Sequence, residues 1–495
     1  MTHLGESIGT GGILEVLQPK SSVRPEMDFR VTSLTRSVAT EGITTMKRIA
    51  GLTLSGIFLT GALAHAQAPI VKLGTSDAPP TLNVKVQATP VPMPTPIPTT
   101  MPMPPMAAST APEAPAAPAV EEPKVEEEKK PEDKFLLQKL LESSPAGQTL
   151  AGNGWKIYGW TQGSFTTGSV RNSTLPVPFI NRAEQFSLNQ NWLHVEKGID
   201  TSKKEFQIGG TADLIIPGTD YQFTPSRGLL TARQSRGEDY GIDLFQGFIS
   251  MFLPNLGSQG TTLQVGKFAT PCEYETVQAI STPFVSRSYL FQYNPFTHTG
   301  VNAITPLNDN WTISNALVLG SDNFFNDATR LTYVGSLKWA PKDGKTTVLF
   351  NTVITDPSFD GGRNFAFYNL YNLQLIHKLT DKLTYVADGT YSHIDKVPDI
   401  GFANWYGVAN YLLYDVNDKI QTKLRVELFD DAQGFRTGSK GLYTATTAGI
   451  TWKPAPWIYV MPEVRYDHNS GNNPTGPFEG NRNMFTATLG AILRF

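Results

Sequence analysis

The chain has 495 residues but a single cysteine, Cys272, and few charged residues. One thiol cannot form an intrachain disulfide or a cysteine-based zinc site. Charged residues make up 17% of the chain, below the roughly 25% that is usual in soluble globular proteins. The net charge of −3 gives no basic surplus, so no nucleic-acid partner is expected. The sequence also lacks a serine elbow, a phosphate loop and a run of metal ligands, so we expect no cofactor, no metal and no catalytic site.

A long apolar run is missing after residue 66, whereas a short one before it belongs to a signal peptide. The three parts are, in order, the positive Lys47 and Arg48, the apolar residues 49–63 and a small-residue cleavage site at 64–66. Residues 1–66 are therefore a predicted signal-peptide region with Met46 as the expected start, unless residues 1–45 are a genuine long leader. Since no later stretch reaches the ~18 apolar residues of a membrane helix, any crossing by the mature chain must use strands.

Residues 67–133 are of low complexity and rich in proline. Proline fixes φ and lacks an N–H, so polyproline II is the expected local state. The segment could be plain disorder, or a spacer that reaches through the periplasm towards peptidoglycan. Residues 134–150 predict one short amphipathic helix, which could plug the mouth of a barrel, lie on the membrane interface or pack on the barrel rim.

From residue 151 to residue 495 the sequence consists of segments rich in Tyr, Phe, Val, Thr and Leu. Short joints of tight-turn composition and long polar joints separate them alternately. This alternation is typical of outer-membrane barrels, whose short turns are periplasmic and whose long loops are external. The number of joints predicts an all-β fold, a transmembrane antiparallel up-and-down barrel of about sixteen strands. One of the joints predicted to be long lies at 395–401.

Alternating polarity predicts which face of each strand points into the barrel. A Lys or Arg on the lipid face near the midplane would cost about 2–4 kcal/mol, so charged residues are expected inside. The predicted pore-lining residues are Asp213, Lys338, Lys423, Arg425, Glu427, Glu463, Arg465 and Arg494. Because both signs are present, they predict no strong ion preference. Alternatively, they pair across neighbouring strands and stiffen the wall. The strands that begin near Trp155, Gln185 and Trp405 do not alternate cleanly.

The two longest joints are candidates for a loop that folds inward and constricts the channel. Residues 217–239 are the first candidate, with the charged residues Asp220, Arg227, Arg233, Arg236, Glu238 and Asp239. Residues 271–295 are the second, with Glu273, Glu275 and Arg287 beside several aromatic residues. Opposed charges in a narrow passage would favour small polar solutes. Either loop could instead pack on the rim.

Two motifs carry a resemblance to a known family. The first consists of Gly266, Lys267, Phe268, Thr270 and Pro271, and the second contains Ser288, Tyr289, Phe296, Thr297, His298 and Gly300. Together with Asp213 and residues 218–221, they resemble the OmpL-like family of outer-membrane β-barrel porins over roughly residues 150–495. The resemblance implies a β-barrel channel and brings no catalytic residue and no defined substrate. Cys272 departs from the pattern, since a small or apolar residue is expected after Thr-Pro.

The final strand ends in Phe495, with apolar residues at alternate positions before it. This pattern resembles the recognition signal of the outer-membrane assembly machinery. The sequence as a whole therefore predicts a porin, a passive diffusion channel for small hydrophilic solutes in the bacterial outer membrane. Expected partners are outer-membrane lipid and the barrel assembly machinery, with peptidoglycan contact and a homotrimer left open.

Two other functions are weighed against a porin. One is a structural or adhesive barrel whose proline-rich arm contacts the cell wall. The other is an enzyme, for which Asp467 with His468, or His393 with Asp395, could form a rim pair. Adjacent residues on a strand point to opposite faces, which disfavours a working Asp467–His468 pair. We therefore predict that the protein is not an enzyme.

Overall fold

The computed structural model describes residues 135–229, 238–325, 329–359 and 367–495. The predicted signal-peptide region and proline-rich arm lie outside these residues. The first elements are two helices, α1 (Leu136–Glu142) and α2 (Pro145–Gly152), in place of the one predicted helix. The break falls at Ser144, whose extended backbone precedes Pro145 and whose side chain caps α2 by accepting from the Gly147 N–H at 3.1 Å. In this described part of the chain, no helix is long and apolar enough to cross a membrane.

The described residues also form sixteen antiparallel strands, each paired with its neighbours in sequence, and the first pairs with the last to close a barrel. The bounds are β1 (Trp155–Gly168), β2 (Gln185–Lys197), β3 (Gln207–Gly218), β4 (Gly241–Leu253), β5 (Thr261–Ala269), β6 (Thr297–Pro306), β7 (Trp311–Ser321), β8 (Thr332–Trp339), β9 (Thr346–Ile354), β10 (Asn369–Lys378), β11 (Leu383–Val397), β12 (Gly401–Asn417), β13 (Ile420–Asp431), β14 (Gly441–Ala455), β15 (Ile458–Asn469) and β16 (Asn483–Arg494). A short helix, α3 (Tyr289–Tyr293), lies between β5 and β6. The predicted up-and-down barrel of sixteen strands is confirmed.

The joints alternate in length as predicted, with one exception. The sequence predicts a long joint at 395–401, whereas β11 ends at Val397 and β12 begins at Gly401. Asp399 and Gly401 take positive φ values of 62° and 78°, which allow the chain to reverse within a tight turn. The polar composition that suggested a loop therefore belongs to this turn and to the ends of two long strands.

The barrel is closed where β1 meets β16. The two strands pair from Trp160 opposite Arg494 to Gly168 opposite Thr486. Beyond them, the backbone N–H of Phe495 donates to the Gly159 carbonyl and the Gly159 N–H donates to the Phe495 carbonyl, both at 2.9 Å. A Cβ at residue 159 would overlap the Trp192 carbonyl of β2 and the Phe495 ring, so this close approach requires glycine.

The outer face of the barrel is apolar and the inner face is polar where the sequence alternates. On β13, Val426 and Leu428 are exposed on the outside, whereas Arg425 and Glu427 are buried inside. The same alternation runs along β15 and β16. Aromatic side chains border the outer apolar band, with the rings of Trp311 and Trp339 near the short turns, tilted to each other at 6.4 Å between centroids. An apolar band between aromatic girdles is how a barrel meets a bilayer.

A pair of matched substitutions on β12 tests this placement. Val408 lies between Tyr406 and Tyr414 on the outer face, whereas Val416 lies beyond Tyr414 next to a turn. We expect Val408→Arg to destabilise the barrel by about 2–4 kcal/mol because it places a cation in the hydrocarbon, and Val416→Arg to cost about 0–1 kcal/mol. Urea unfolding in lipid vesicles measures both. Equal losses would contradict a bilayer centred between the two tyrosines.

Candidate functional site

The chain between β5 and β6, residues 270–296, lies inside the barrel, and we call it the inner loop. The Gln190 side-chain amide of β2 donates to the Val277 carbonyl of this loop at 2.7 Å. Its Glu273 accepts from the Thr390 hydroxyl of β11 at 2.6 Å. Strands β2 and β11 lie on nearly opposite sides of the closed sheet. A segment that bonds to both walls must cross the interior.

Residues of the two family motifs form the neck where the inner loop leaves and rejoins the wall. The Thr270 N–H donates to the Phe296 carbonyl at 2.9 Å, and the hydroxyl of Thr270 lies 3.1 Å from Nε2 of His298. Asp322 accepts from the backbone N–H groups of Phe296 and Thr297 at 3.1 and 2.8 Å. These bonds fix both ends of the loop to β5, β6 and the end of β7.

Other motif residues support the strands beside this neck. Lys267 is buried and donates from Nζ to the Leu244 carbonyl at 2.6 Å. A Cβ at residue 266 would overlap the Gly247 carbonyl, and one at residue 300 would overlap the Leu317 carbonyl. Glycine at both positions lets neighbouring strands approach closely, and at Gly300 the register between β6 and β7 also shifts. Phe268 and Pro271 line a cavity described below.

Buried carboxylates hold the backbone of the inner loop. Glu463 of β15 accepts from the N–H groups of Val285 and Ser286 at 2.7 and 2.9 Å. Glu427 of β13 accepts from the Tyr289 N–H at 2.7 Å. A carboxylate that accepts backbone N–H groups forms charge-assisted hydrogen bonds, which are roughly twice as strong as neutral ones. Side chains of the barrel wall therefore bind the backbone of the inner loop.

Ion pairs connect these carboxylates into one network. Arg425 lies 2.6 Å from Glu275 of the inner loop and 2.8 Å from Glu427. Arg465 lies 3.3 Å from Glu427 and 2.8 Å from Asp467. All five side chains are at most 1% exposed. Each buried charge thus has a partner of opposite sign, as burial in a low-dielectric interior requires.

Aromatic side chains of the inner loop pack against the wall. The Tyr289 hydroxyl donates to Asp467 at 2.9 Å, and its ring stacks on Phe429 at 5.6 Å. Tyr274 packs against Tyr411 of β12 at 5.1 Å. The inner face of β12 is apolar because the loop covers it, and this explains why the sequence there does not alternate. On β1 and β2, the alternation is broken by Trp160 and Trp192, which are buried and stack on each other inside the barrel at 5.1 Å.

The 217–239 segment contributes less to the interior. Asp220 is buried and accepts from the Gln190 amide at 2.7 Å, and burial raises the pKa of its carboxyl to about 6. Arg227 pairs through its backbone with the segment after β7. Glu238 and Asp239 are exposed, and Asp239 forms an ion pair with Arg182. The two remaining candidates, Arg233 and Arg236, lie outside the described residues.

The other predicted pore-lining residues have separate environments. Asp213 accepts from the Trp192 indole at 2.9 Å and lies 2.5 Å from Nδ1 of His194. Lys423 donates to the Pro283 carbonyl of the inner loop and to the Thr451 hydroxyl. Lys338 and Arg494 lie near the short turns. The structure thus brings Lys423, Arg425, Glu427, Glu463 and Arg465 together around the inner loop, and it leaves Asp213, Lys338 and Arg494 apart from that group.

A buried pair of carboxyl groups was missed from the sequence. Glu273 of the inner loop meets Asp388 of β11, and burial, followed by this neighbour, raises the pKa of the Glu273 carboxyl well above its usual range. The Asn294 amide donates to Glu273 at 2.7 Å, and the Tyr274 N–H donates to Asp388 at 2.8 Å. The alternation of β11 was the available signal, because Asp388 shares a face with the buried Val386 and Thr390.

A cavity of about 270 Å³ remains between the inner loop and strands β5 to β9. Its polar lining consists of Gln264, Asn302, Thr312, Ser314, Ser336 and Lys338. Free space therefore lies on the side of the barrel that faces away from the ion network. The amides and hydroxyls of these residues share the lining with apolar side chains, and they can hydrogen-bond to water or to polar solutes.

The rim pairs considered for catalysis are not formed. Asp467 points inward to Tyr289 and Arg465, whereas His468 bonds to Asn483 at 2.7 Å on the outer side. His393 stacks on Phe402 at 5.6 Å on the outer face. Across the described ranges, no group of three His, Cys, Asp or Glu side chains is placed to hold a metal ion.

A closed antiparallel sheet that is apolar outside and polar inside, with a loop folded into it, defines a transmembrane barrel of the porin class. The chain belongs to the family described as "Putative beta-barrel porin-2, OmpL-like", whose family model matches residues 154–495. The resemblance carried by the two motifs is thereby confirmed.

Several solved outer-membrane proteins are similar in structure. The trimer form of OmpT from Vibrio cholerae is 11% identical with a TM-score of 0.46, covering 69% of this chain and 99% of its own. An anion-selective porin from Comamonas acidovorans is 10% identical with a TM-score of 0.47, covering 69% and 99%. OccK1 from Pseudomonas aeruginosa is 8% identical with a TM-score of 0.40, covering 69% and 98%. No curated protein matches the chain.

Proposed function

We propose that this porin is a passive diffusion channel for small hydrophilic solutes in the bacterial outer membrane, narrowed by the inner loop. The observation that carries the proposal is the path of residues 270–296 across the interior, where they bond to β2, β11, β13 and β15. Barrels of about sixteen strands enclose an aqueous lumen, and a loop fixed inside one sets its width. The 217–239 segment then supports the loop through Asp220. We propose no enzymatic activity.

For the residues before the barrel and for the chain's last residue, we propose the roles that the sequence indicates. Residues 1–66 direct export, and residues 67–133 form a periplasmic spacer that reaches peptidoglycan. Phe495 closes the strand that the assembly machinery recognises. Analytical ultracentrifugation in detergent distinguishes a monomeric barrel from a homotrimer. The helical segment that begins at Phe135 packs at the turn-side end of the barrel, where the Phe135 ring stacks on Tyr158 at 4.1 Å.

Planar-bilayer recording of the purified mature chain tests the channel. We expect discrete conductance steps that are small for a barrel of sixteen strands, because the inner loop fills much of the interior. Deleting residues 67–133 should leave the step size unchanged, since that segment precedes the barrel. Heat-modifiable migration in gels verifies that each sample is folded. Folded protein without steps would contradict the proposal.

One observation favours the alternative, a structural or adhesive barrel with little conductance. The inner loop is packed as closely as a protein core, with Arg287 and Tyr289 at most 1% exposed. The two functions differ in liposome swelling with sugars, amino acids and ions of graded size. Uptake of the smallest solutes supports a narrow porin, whereas no uptake together with binding of the intact chain to peptidoglycan supports the structural role.

A further inference from the structure

Four basic side chains lie on the inner face of the wall near the short turns. They are Lys338 of β8, Lys378 of β10, Lys453 of β14 and Arg494 of β16. Strand alternation places each of them, because residues an even number of positions away on the same face, such as Gln374 before Lys378 and Ile492 before Arg494, are buried inside. We call these four residues the basic ring.

The basic ring has no ion pair with a carboxylate among the described residues. Lys338 borders the cavity between the inner loop and strands β5 to β9. The Lys453 ammonium lies over the Tyr459 ring at 5.1 Å. Arg494 lies 4.1 Å from the Phe135 ring and donates to the Tyr459 hydroxyl at 2.7 Å and to the Pro456 carbonyl at 3.1 Å. Aromatic rings and neutral oxygens leave the positive charge in place.

The acidic residues deeper in the barrel do not offset this charge. Glu275, Glu427 and Asp467 are buried with Arg425 and Arg465 in the ion network. Glu463 is 5% exposed and bound to the inner-loop backbone. Carboxylates neutralised in this way, out of contact with water, contribute little to the potential in the aqueous part of the lumen.

Fewer acidic than basic residues share the turn side of the inner face. Glu196 of β2 lies opposite Lys156 of β1 and 3.5 Å from Nε2 of His194. Asp415 of β12 accepts from the Gln421 amide at 2.8 Å and lines a cavity whose charged residues are Asp381, Asp415, Asp418, Lys382, Lys419 and Lys453. Three carboxylates and three cations balance in that cavity, and Lys156 balances Glu196. The other members of the basic ring, Lys338, Lys378 and Arg494, are left in excess, so positive charge predominates.

We propose that the basic ring makes the channel prefer anions, so that it admits small anionic solutes such as inorganic phosphate over cations of the same size. This inference rests on the proposed channel function. A ring of like charges inside a low-dielectric wall concentrates counter-ions and repels ions of its own sign. The sequence alone predicts no ion preference, because the predicted pore-lining residues carry charges of both signs and all of them are expected to face water.

Reversal potentials in a KCl gradient test the proposal. We expect the wild-type channel to favour chloride over potassium severalfold. The triple variant Lys338→Gln, Lys378→Gln, Lys453→Gln should lose most of this preference while the barrel still conducts. Arg494 is left unchanged because it adjoins the terminal strand signal. Competition by millimolar inorganic phosphate should reduce the chloride current in the wild type more than in the variant.

A matched control removes three exposed lysines from short turns, outside the strands. Lys203→Gln, Lys204→Gln, Lys342→Gln changes the net charge equally and should keep the wild-type reversal potential. A conducting wild-type channel that is unselective or favours potassium would overturn the proposal, as would equal shifts in the two triple variants. Folded wild-type protein without any conductance would instead overturn the channel function and this inference with it.

Discussion

Removing the inner loop should raise the conductance of the channel severalfold. Replacing residues 273–293 with Gly-Ser-Gly would leave the neck intact, because Ala269 and Thr297 pair across β5 and β6 and Thr270 bonds to Phe296. The interior would then be filled with water over the area that the loop now occupies. The wall charges would keep partners, since Arg425 pairs with Glu427 and Arg465 pairs with Asp467.

Single-channel recording measures this effect, with urea unfolding as a check on the barrel. The matched control is the same Gly-Ser-Gly replacement of residues 201–205 in an exposed turn, which should leave the step size at the wild-type value. A folded loop-deleted barrel with unchanged conductance would show that the inner loop does not limit the passage. The narrowest point would then have to lie elsewhere in the lumen.

The barrel could be predicted from the sequence because the patterns that specify its strands lie within short stretches of the chain. Apolar and charged residues alternate within single strands such as β13 and β15, and the high cost of a charge in lipid decides which face points inward. Turn residues at each short joint add an equally local signal. The number of strands and the closure of the sheet followed from these two regularities.

The path of the inner loop could not be predicted in the same way. Its decisive bonds join residues that are far apart in sequence, such as Tyr289 with Glu427 and Val285 with Glu463, separated by 138 and 178 residues. Composition alone therefore predicts either long joint as the loop that constricts the channel, with residues 217–239 ranked first. Strand alternation also predicts that Arg425 and Glu427 line the pore, although the inner loop covers both side chains.

The largest expected effect of a single substitution is at Arg425. Its guanidinium lies 2.6 Å from Glu275, 2.8 Å from Glu427 and 3.1 Å from the Ser286 carbonyl. Arg425→Met would leave Glu275 without its cation in a site with little access to water. Breaking one partner of a buried ion pair costs about 3–5 kcal/mol, because the remaining charge is desolvated and unpaired. The inner loop should therefore detach from β13, at least in part.

Limited trypsin digestion of the folded protein in vesicles measures detachment at Arg287, which is 1% exposed in the intact barrel. We expect rapid cleavage after Arg287 in Arg425→Met, larger and noisier conductance steps, and slow cleavage in the wild type. The matched variant Arg425→Met, Glu275→Gln removes both members of the pair and should restore much of the resistance, because no carboxylate is then stranded on the loop. Equal cleavage rates in the single and double variants would mean that Glu275 does not couple to Arg425. Resistance of both variants to trypsin would indicate that Glu463 and the neck hold the inner loop in place without Arg425.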